Sequence, residues 1–297
     1  MTGTFRLFGL LILLILLIPG CALAGSIKVV ASFSVLGDMV HQIAGDLAEV
    51  TVLVPPDGDA HTFDPSPADA EKLAGAALVV SNGLGLDGWL DRLAKSAGYG
   101  GPRVVASEKI TSRQMTEGGR AVIDPHGWQD LRNGILYVRT IEAALEAADP
   151  GNTIAYAKRA SSYVQDLAAL DIEVRAAIEK VPRAKRRVIS SHDAFGYFSG
   201  AYGVTFLAPQ GLSTDSEPSA GDVARLVDQI RQEHIGALFL ENMADHRLID
   251  VIASETGVVT GGTLYADALS PPSGPAPTYA GMFRNNVPKL VAGMLKN

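Results

Sequence analysis

Apolar positions recur along the chain in two alternating rhythms. The runs Ile27 to Phe33, Glu49 to Val54 and Ala77 to Gly83 have the length and β-branched content of buried strands. Between the first two, Val35 to Ala44 carries apolar residues at helical spacing, and Pro55-Pro56-Asp57-Gly58 marks a turn after the second. Ser66-Pro67-Ala68-Asp69 predicts a helix start. Serine caps, proline suits the first helical position, and the aspartate reaches back to the cap or complements the dipole. From Asn152 to Val181 the pattern is helical throughout, with Tyr163, Leu167, Leu170, Val174, Ala177 and Val181 on one face and Pro182 as the stop. Such a helix would be roughly 45 Å long, enough to run beside two small lobes.

The strand and helix rhythm then resumes. Arg187 to Ser191, Val204 to Ala208, Ala237 to Glu241 and Val258 to Leu264 predict strands. Ser219 to Glu233 and Asp245 to Glu255 predict helices, and a Pro/Gly-rich stretch from Pro271 to Pro277 precedes a last helix from about Tyr279. Alternation of this kind predicts an α/β fold with parallel sheets covered by helices. No internal repeat is visible. A length of 297 residues suits two domains. The expected division is an N-terminal lobe over 25–150, a connecting helix over 151–182 and a C-terminal lobe over 183–297.

Residues 1–24 stand apart from this pattern. Arg6 precedes an almost wholly apolar stretch from Leu7 to Ile18, Pro19-Gly20 breaks it, and Ala22-Leu23-Ala24 offers a small-x-small cleavage site. The stretch is short for a membrane span, so it reads as an export signal and places the mature protein in the periplasm. Cys21, the single cysteine, sits in a loose lipobox-like context, Ile18-Pro19-Gly20-Cys21. Cleavage after Ala24 is the reading adopted, with acylation of Cys21 as the alternative. Neither leaves a disulfide framework or a thiolate metal site. A composition of 47% hydrophobic and 19% charged residues is that of a globular chain, and the formal charge of -7 disfavours nucleic acid as a partner.

The candidate chemistry lies in His61, His126, His192 and Asp267. Each follows an apolar run and sits in a polar, turn-rich segment, where ligands bind at the carboxyl ends of strands in open α/β sheets. Three imidazoles and one carboxylate make a full tetrahedral set for a borderline cation such as zinc. Their spread along the chain requires folding to bring them together. Asp64 and Glu241 are candidates to support the ligands from behind, with a turn role for Asp64 and a solvated role for Glu241 as the plainer readings. His41 falls inside a helical pattern, His234 near a helix end and His246 at a helix start, and none is expected to be a ligand.

At these residues the sequence resembles the zinc/manganese group of metal-binding solute receptors that serve ABC importers. The matching segments are Asp59 to Pro67, Asp124 to Trp128, Ser191 to Phe198 and Leu264 to Ser270, with Glu217-Pro218-Ser219 and Leu240-Glu241-Asn242 also similar. The resemblance implies two α/β lobes joined by one long rigid helix, with the cation in the interlobe cleft held by His61, His126, His192 and Asp267. It implies no enzymatic activity, a membrane permease as partner and a monomer. Histidine at the third ligand position leans toward zinc in this family, where many manganese receptors carry glutamate. Many zinc members also have a histidine-rich loop before the second ligand, yet Thr111 to Asp124 contains no histidine. The reading is therefore zinc, with manganese or iron as the alternative cargo. A zinc hydrolase using Asp64 or Glu241 as base, a receptor for an organic chelate and a structural zinc protein are the rivals weighed against it.

Overall fold

A computed structural model describes residues 26–117, 120–215 and 218–297. The expected leader, with Cys21 and the site after Ala24, lies outside the described residues, as does Glu217. Strands β1 (Ile27–Phe33), β2 (Ala48–Val54), β3 (Leu78–Ser81) and β4 (Arg103–Val105) form one parallel sheet in the order β2-β1-β3-β4. Strands β7 (Arg187–Ile189), β8 (Thr205–Leu207), β9 (Leu238–Glu241) and β10 (Thr260–Leu264) form a second, also parallel, in the order β10-β9-β7-β8. The expected α/β class with two parallel-sheet lobes is therefore present.

Local sequence explains the element ends. Helix α1 (Ser34–Ala44) follows β1 without a loop, and Gly45 ends it at a positive φ of 57° that side chains rarely adopt. Helix α2 (Pro67–Ala74) opens with the full capping box expected of Ser66 and Asp69, with Pro67 in its first turn. Ser219 caps the helix that follows it, Ala220–Glu233 (α7), through the Asp222 amide.

One departure concerns the run before His126. Arg120–Ile123 (β6) pairs antiparallel with Gln114–Glu117 (β5) as a separate two-stranded ribbon. His126 therefore does not follow a strand of the parallel sheet. Unlike the fully buried β3, the ribbon strand β6 is exposed except at the half-buried Val122. Helices α3 (Trp89–Ser96), α4 (Leu131–Ala148) and α6 (Gly196–Tyr202) complete the pattern beyond the segments singled out from sequence. Helix α8 (Arg247–Thr256) and helix α9 (Tyr279–Met294) lie close to their expected positions.

The long helix, α5, spans Thr153–Glu179, which at 1.5 Å per residue is about 40 Å. Tyr156, Ala160, Tyr163, Leu167, Leu170, Val174 and Ile178 are its buried stripe. Its first half is tied to the N-terminal lobe by Arg159, which donates to the Ala44 carbonyl and to Asp46. Its second half is tied to the C-terminal lobe by Arg175, which donates to the Ala201 carbonyl at 2.7 Å. One continuous apolar cluster runs from Val29 and Val80 of the first sheet through Tyr163 and Leu167 to Val188, Phe239 and Leu290. A second, smaller cluster of Ile189, Leu226, Ile230, Ile249 and Ile252 lies under α7 and α8. No helix of the described residues is long and apolar enough to cross a membrane.

Truncating the spine should weaken both lobes together. Leu167→Ala, at a fully buried position, is expected to cost about 2–5 kcal/mol. Ile172→Ala on the exposed face of the same helix is expected to change stability by about 0.5 kcal/mol or less. Urea unfolding of the two variants, followed by circular dichroism, checks the contrast.

Candidate metal centre

Each of the four predicted side chains is positioned by its own local device. His61 lies in the loop after β2, and its backbone N–H donates to Asp59 Oδ1 at 2.8 Å. The preceding residue, Ala60, is buried, and its carbonyl accepts from the Trp89 indole at 3.1 Å, which fixes the loop against α3. His126 is wholly buried. Its backbone N–H donates to Asp124 Oδ1, and its Nδ1 lies 2.9 Å from the same oxygen. Arg113 donates to the other Asp124 oxygen at 2.8 Å.

His192 follows β7. Glu241, at the end of neighbouring β9, accepts from the Ser191 and His192 backbone amides at 2.8 and 3.1 Å. Its second oxygen lies 2.6 Å from His192 Nδ1. Asp267 follows β10, and the carbonyl of its neighbour Ala266 accepts from both Trp128 Nε1 and Gln129 Nε2.

These devices aim one atom of each residue at a common point. Asp267 Oδ2 lies 3.1 Å from His61 Nε2, 3.5 Å from His126 Nε2 and 3.0 Å from His192 Nε2. His61 Nε2 and His126 Nε2 are 3.3 Å apart, and one donor atom from each residue falls within 4.8 Å of the others. With bonds of 2.0–2.1 Å, the edges of a tetrahedral ligand shell are about 3.3 Å. The four short separations match that edge. A carboxylate stands against Nδ1 of both His126 and His192, at 2.9 and 2.6 Å, so that Nε2 faces the centre as the lone-pair nitrogen once deprotonated.

The electrostatics of the cluster follow from burial and proximity. Burial disfavours the charged form of His126, yet Asp267 and Asp124 outweigh it and push the imidazole up to about 9. Burial opposes the charge of His192 too, and Glu241 and Asp267 hold its affinity for a proton well above the ordinary range. Burial works against the Asp267 carboxylate, and His126 and His192 hold it well below the usual carboxylate range. Asp124 is likewise lowered, against its burial, by its hydrogen bond and charge interaction with His126. Protons on the imidazoles and a cation at the centre would thus satisfy the same buried negative charge. Asp267 Oδ1 is buried with no hydrogen-bond partner among the described residues, an acceptor that a cation would complete.

Of the two expected supporting residues, Glu241 stands behind His192 as described, whereas Asp64 is exposed and lies outside the four-residue group. Asp64 precedes a proline in the chain leading to α2, and the inward-facing carboxylate of that loop is Asp59. Asp124 is the supporting residue that sequence reasoning missed. Its signal was available: a carboxylate two residues before a histidine, across a proline. His41, His234 and His246 are exposed, at the last turn of α1, the left-handed cap of α7 and the cap of α8.

The family model described as "Zinc-uptake complex component A periplasmic" (ZnuA) matches residues 29–293. The manganese-binding lipoprotein MntA of Halalkalibacterium halodurans is 31% identical over 268 residues, covering 90% of this chain and 88% of that protein. Among solved structures, the periplasmic zinc-binding protein TroA from Treponema pallidum superposes with a TM-score of 0.86 at 31% identity, over 91% of this chain and 99% of that one. A manganese-bound periplasmic metal-binding protein from Candidatus Liberibacter asiaticus gives 0.81 at 30% identity, over 91% and 100%.

The cluster's charge balance predicts a proton exchange. At pH 7.5, cation binding should release about two protons, from His126 and His192, because both must be neutral to ligate. Titration calorimetry in two buffers of different ionisation enthalpy counts them, and a count near zero would contradict the raised proton affinities. For the metal-free protein the sign is opposite to that of the usual carboxylate. The raised His126 contributes stability that is full below pH 6.5 and lost as pH rises through about 9. Melting temperatures of the metal-free protein across that window should fall accordingly.

Proposed function

The chain belongs to the ZnuA family of periplasmic zinc-uptake components, and from that premise we propose that His61, His126, His192 and Asp267 hold one zinc ion for delivery. The protein is a metal-binding solute receptor that works with the permease of an ABC importer, and it is not an enzyme. The observation that carries the ligand assignment is the convergence of three imidazole nitrogens and one carboxylate oxygen within 4.8 Å of one another, with four of their separations at 3.0–3.5 Å. Four protein donors saturate a tetrahedral ion and leave no position for a reacting water, as suits carriage. Three neutral imidazoles also match the borderline softness of zinc better than that of manganese.

Manganese is the second reading, and one structural observation favours it. The buried, unpartnered Asp267 Oδ1 offers a second carboxylate oxygen, and a bidentate Asp267 would raise the coordination number toward what manganese takes. The name of the Halalkalibacterium relative points the same way. That relative is also named a lipoprotein, which supports acylation of Cys21 as the anchor, in place of cleavage after Ala24. Mass spectrometry of the natively expressed protein distinguishes the two processed forms.

Two measurements test the function. His61→Ala should weaken zinc binding by at least about 100-fold in a competition titration against a chromogenic chelator, since loss of a direct ligand exceeds the effect of its supporting partners. Unchanged affinity would remove His61 from the set. Most nitrogen and oxygen sites bind zinc more tightly than manganese, so affinity alone does not identify the cargo. A strain lacking the protein should therefore fail to grow when zinc is chelated and be rescued by the wild-type chain. A defect confined to manganese starvation would transfer the assignment to manganese.

A further inference from the structure

Asp267 follows a strand of the C-terminal sheet, but the bonds around it lead elsewhere. Tyr265 is held by Asn286 of α9, whose side chain both accepts from its N–H and donates to its carbonyl. From the next residue on, most partners lie in the other lobe, although Asn242 at the end of β9 still donates to the Ala268 carbonyl at 3.3 Å. The Ala266 carbonyl accepts from Trp128 at 2.9 Å and Gln129 at 2.8 Å. The Leu269 N–H donates to Ser34 Oγ at 3.0 Å, and the Leu269 carbonyl accepts from the Asp57 N–H, also at 3.0 Å. Further on, the Tyr279 N–H donates to Asp38 and its hydroxyl to the Trp128 carbonyl. Ser34, Trp128, Gln129 and Tyr279 are all buried. His192, by contrast, is fixed by Glu241 of its own sheet.

We infer that Asp267 is positioned by the N-terminal lobe, through Ser34, Asp57, Trp128 and Gln129. The four ligands then divide three to one. His61, His126 and Asp267 form one rigid group, and His192 is the member that parts from it when the cleft opens. The inference rests on the ligand assignment proposed above. Its physical ground is the difference between the two sets of bonds. Of the bonds strapping 266–269 to the N-terminal lobe, those to Ser34, Trp128 and Gln129 involve buried partners, whose rupture would leave unsatisfied donors and acceptors, while Asp57 is exposed. Across the mouth of the cleft, Asn242 donates to Asp57 at 2.8 Å in an exposed contact, and Thr214 donates to Asp59 at 2.6 Å in a half-buried one. Water can replace those two groups at little loss, and the buried tie on that side lies five residues beyond the imidazole, where the Tyr197 hydroxyl accepts from the Arg113 N–H at 2.8 Å and donates to the Asp124 carbonyl at 3.2 Å.

Hydrogen exchange with and without zinc tests the division on the unsubstituted protein. Amides from Ala266 to Leu269 should be equally protected in both states, while those of Ser191 and His192 should gain protection when zinc binds. Ser34→Ala and Gln129→Met should each speed zinc dissociation by about tenfold, the effect typical of losing a partner that orients a ligand. Slowed exchange at 266–269 in step with 191–192 on adding zinc would overturn the inference. So would variants that lower the melting temperature of the metal-free protein yet leave the zinc dissociation rate unchanged. No zinc or manganese binding by the unsubstituted protein would overturn the ligand assignment, and this inference with it.

Discussion

A carboxylate with no access to water, Asp267, sets the terms for the rest of the molecule. Its Oδ2 is surrounded by three imidazole nitrogens at 3.0–3.5 Å, and only positive charge at that point makes its burial tolerable. In the metal-free state protons on His126 and His192 supply the charge. In the loaded state a divalent cation would supply it and release them. Cargo and protons therefore compete for one electrostatic role, which couples binding to pH without any dedicated sensor. Asp124 and Glu241 add negative charge one layer further out. They strengthen both the imidazoles' hold on a proton and, once that is lost, their hold on a metal.

Holding four groups from distant parts of the chain to such separations requires a stiff frame. Helix α5 provides it by burying one stripe along about 40 Å of both lobes. The apolar cluster on which it rests is continuous from the first sheet to the second. A hinge through that cluster would expose core side chains, so large rotation of one lobe against the other is disfavoured. What can move cheaply lies further out, toward the smaller cluster under α7 and α8. His192 follows β7, which lies at the border of that region, since Ile189 belongs to the smaller cluster and Val188 to the larger. A carrier built this way can release its ion through a local shift of one ligand-bearing strand.

Much of this was legible in the sequence, for identifiable reasons. The Ser66 capping box, the α5 stripe and every strand of the two sheets except the three-residue β4 announce themselves through short-range chemistry, which reads the same in any fold. The four candidate ligands stood out because each interrupts a turn-rich segment with a side chain that has no local use, and the structure brings them together. Three features were hidden. The ribbon of β5 and β6 looks like another parallel strand, since pairing partners leave no mark on a four-residue run. Helix α4 carries Leu131, Val138, Ile141 and Leu145 on a buried face as plainly as α5 does, but its Gly134 dilutes the signal. That glycine is there because the Tyr279 ring occupies the space a side chain would need, a contact between residues far apart in sequence. Asp124 and Asp64 illustrate the same limit. Both are carboxylates near a histidine and a proline, and only the tertiary path decides that one faces an imidazole and the other faces water.

The ribbon also bears on how an acidic receptor without a histidine-rich loop meets its ion. Thr111 to Asp124 forms β5, β6 and their flanks, and its contribution to the centre is indirect: Arg113 steadies Asp124, which steadies His126. Capture then depends on the centre itself, helped only by the weak pull of a net negative surface on cations. Such a site gains little from a faster encounter and much from slow release, because slow release comes from rigidity around ligands already in place. The strap that holds Asp267 beside His61 and His126 is the feature of this fold that supplies it. If these four side chains hold the ion, its affinity depends on the hydrogen bonds that keep Asp267 beside His61 and His126 as well as on the identity of the donors.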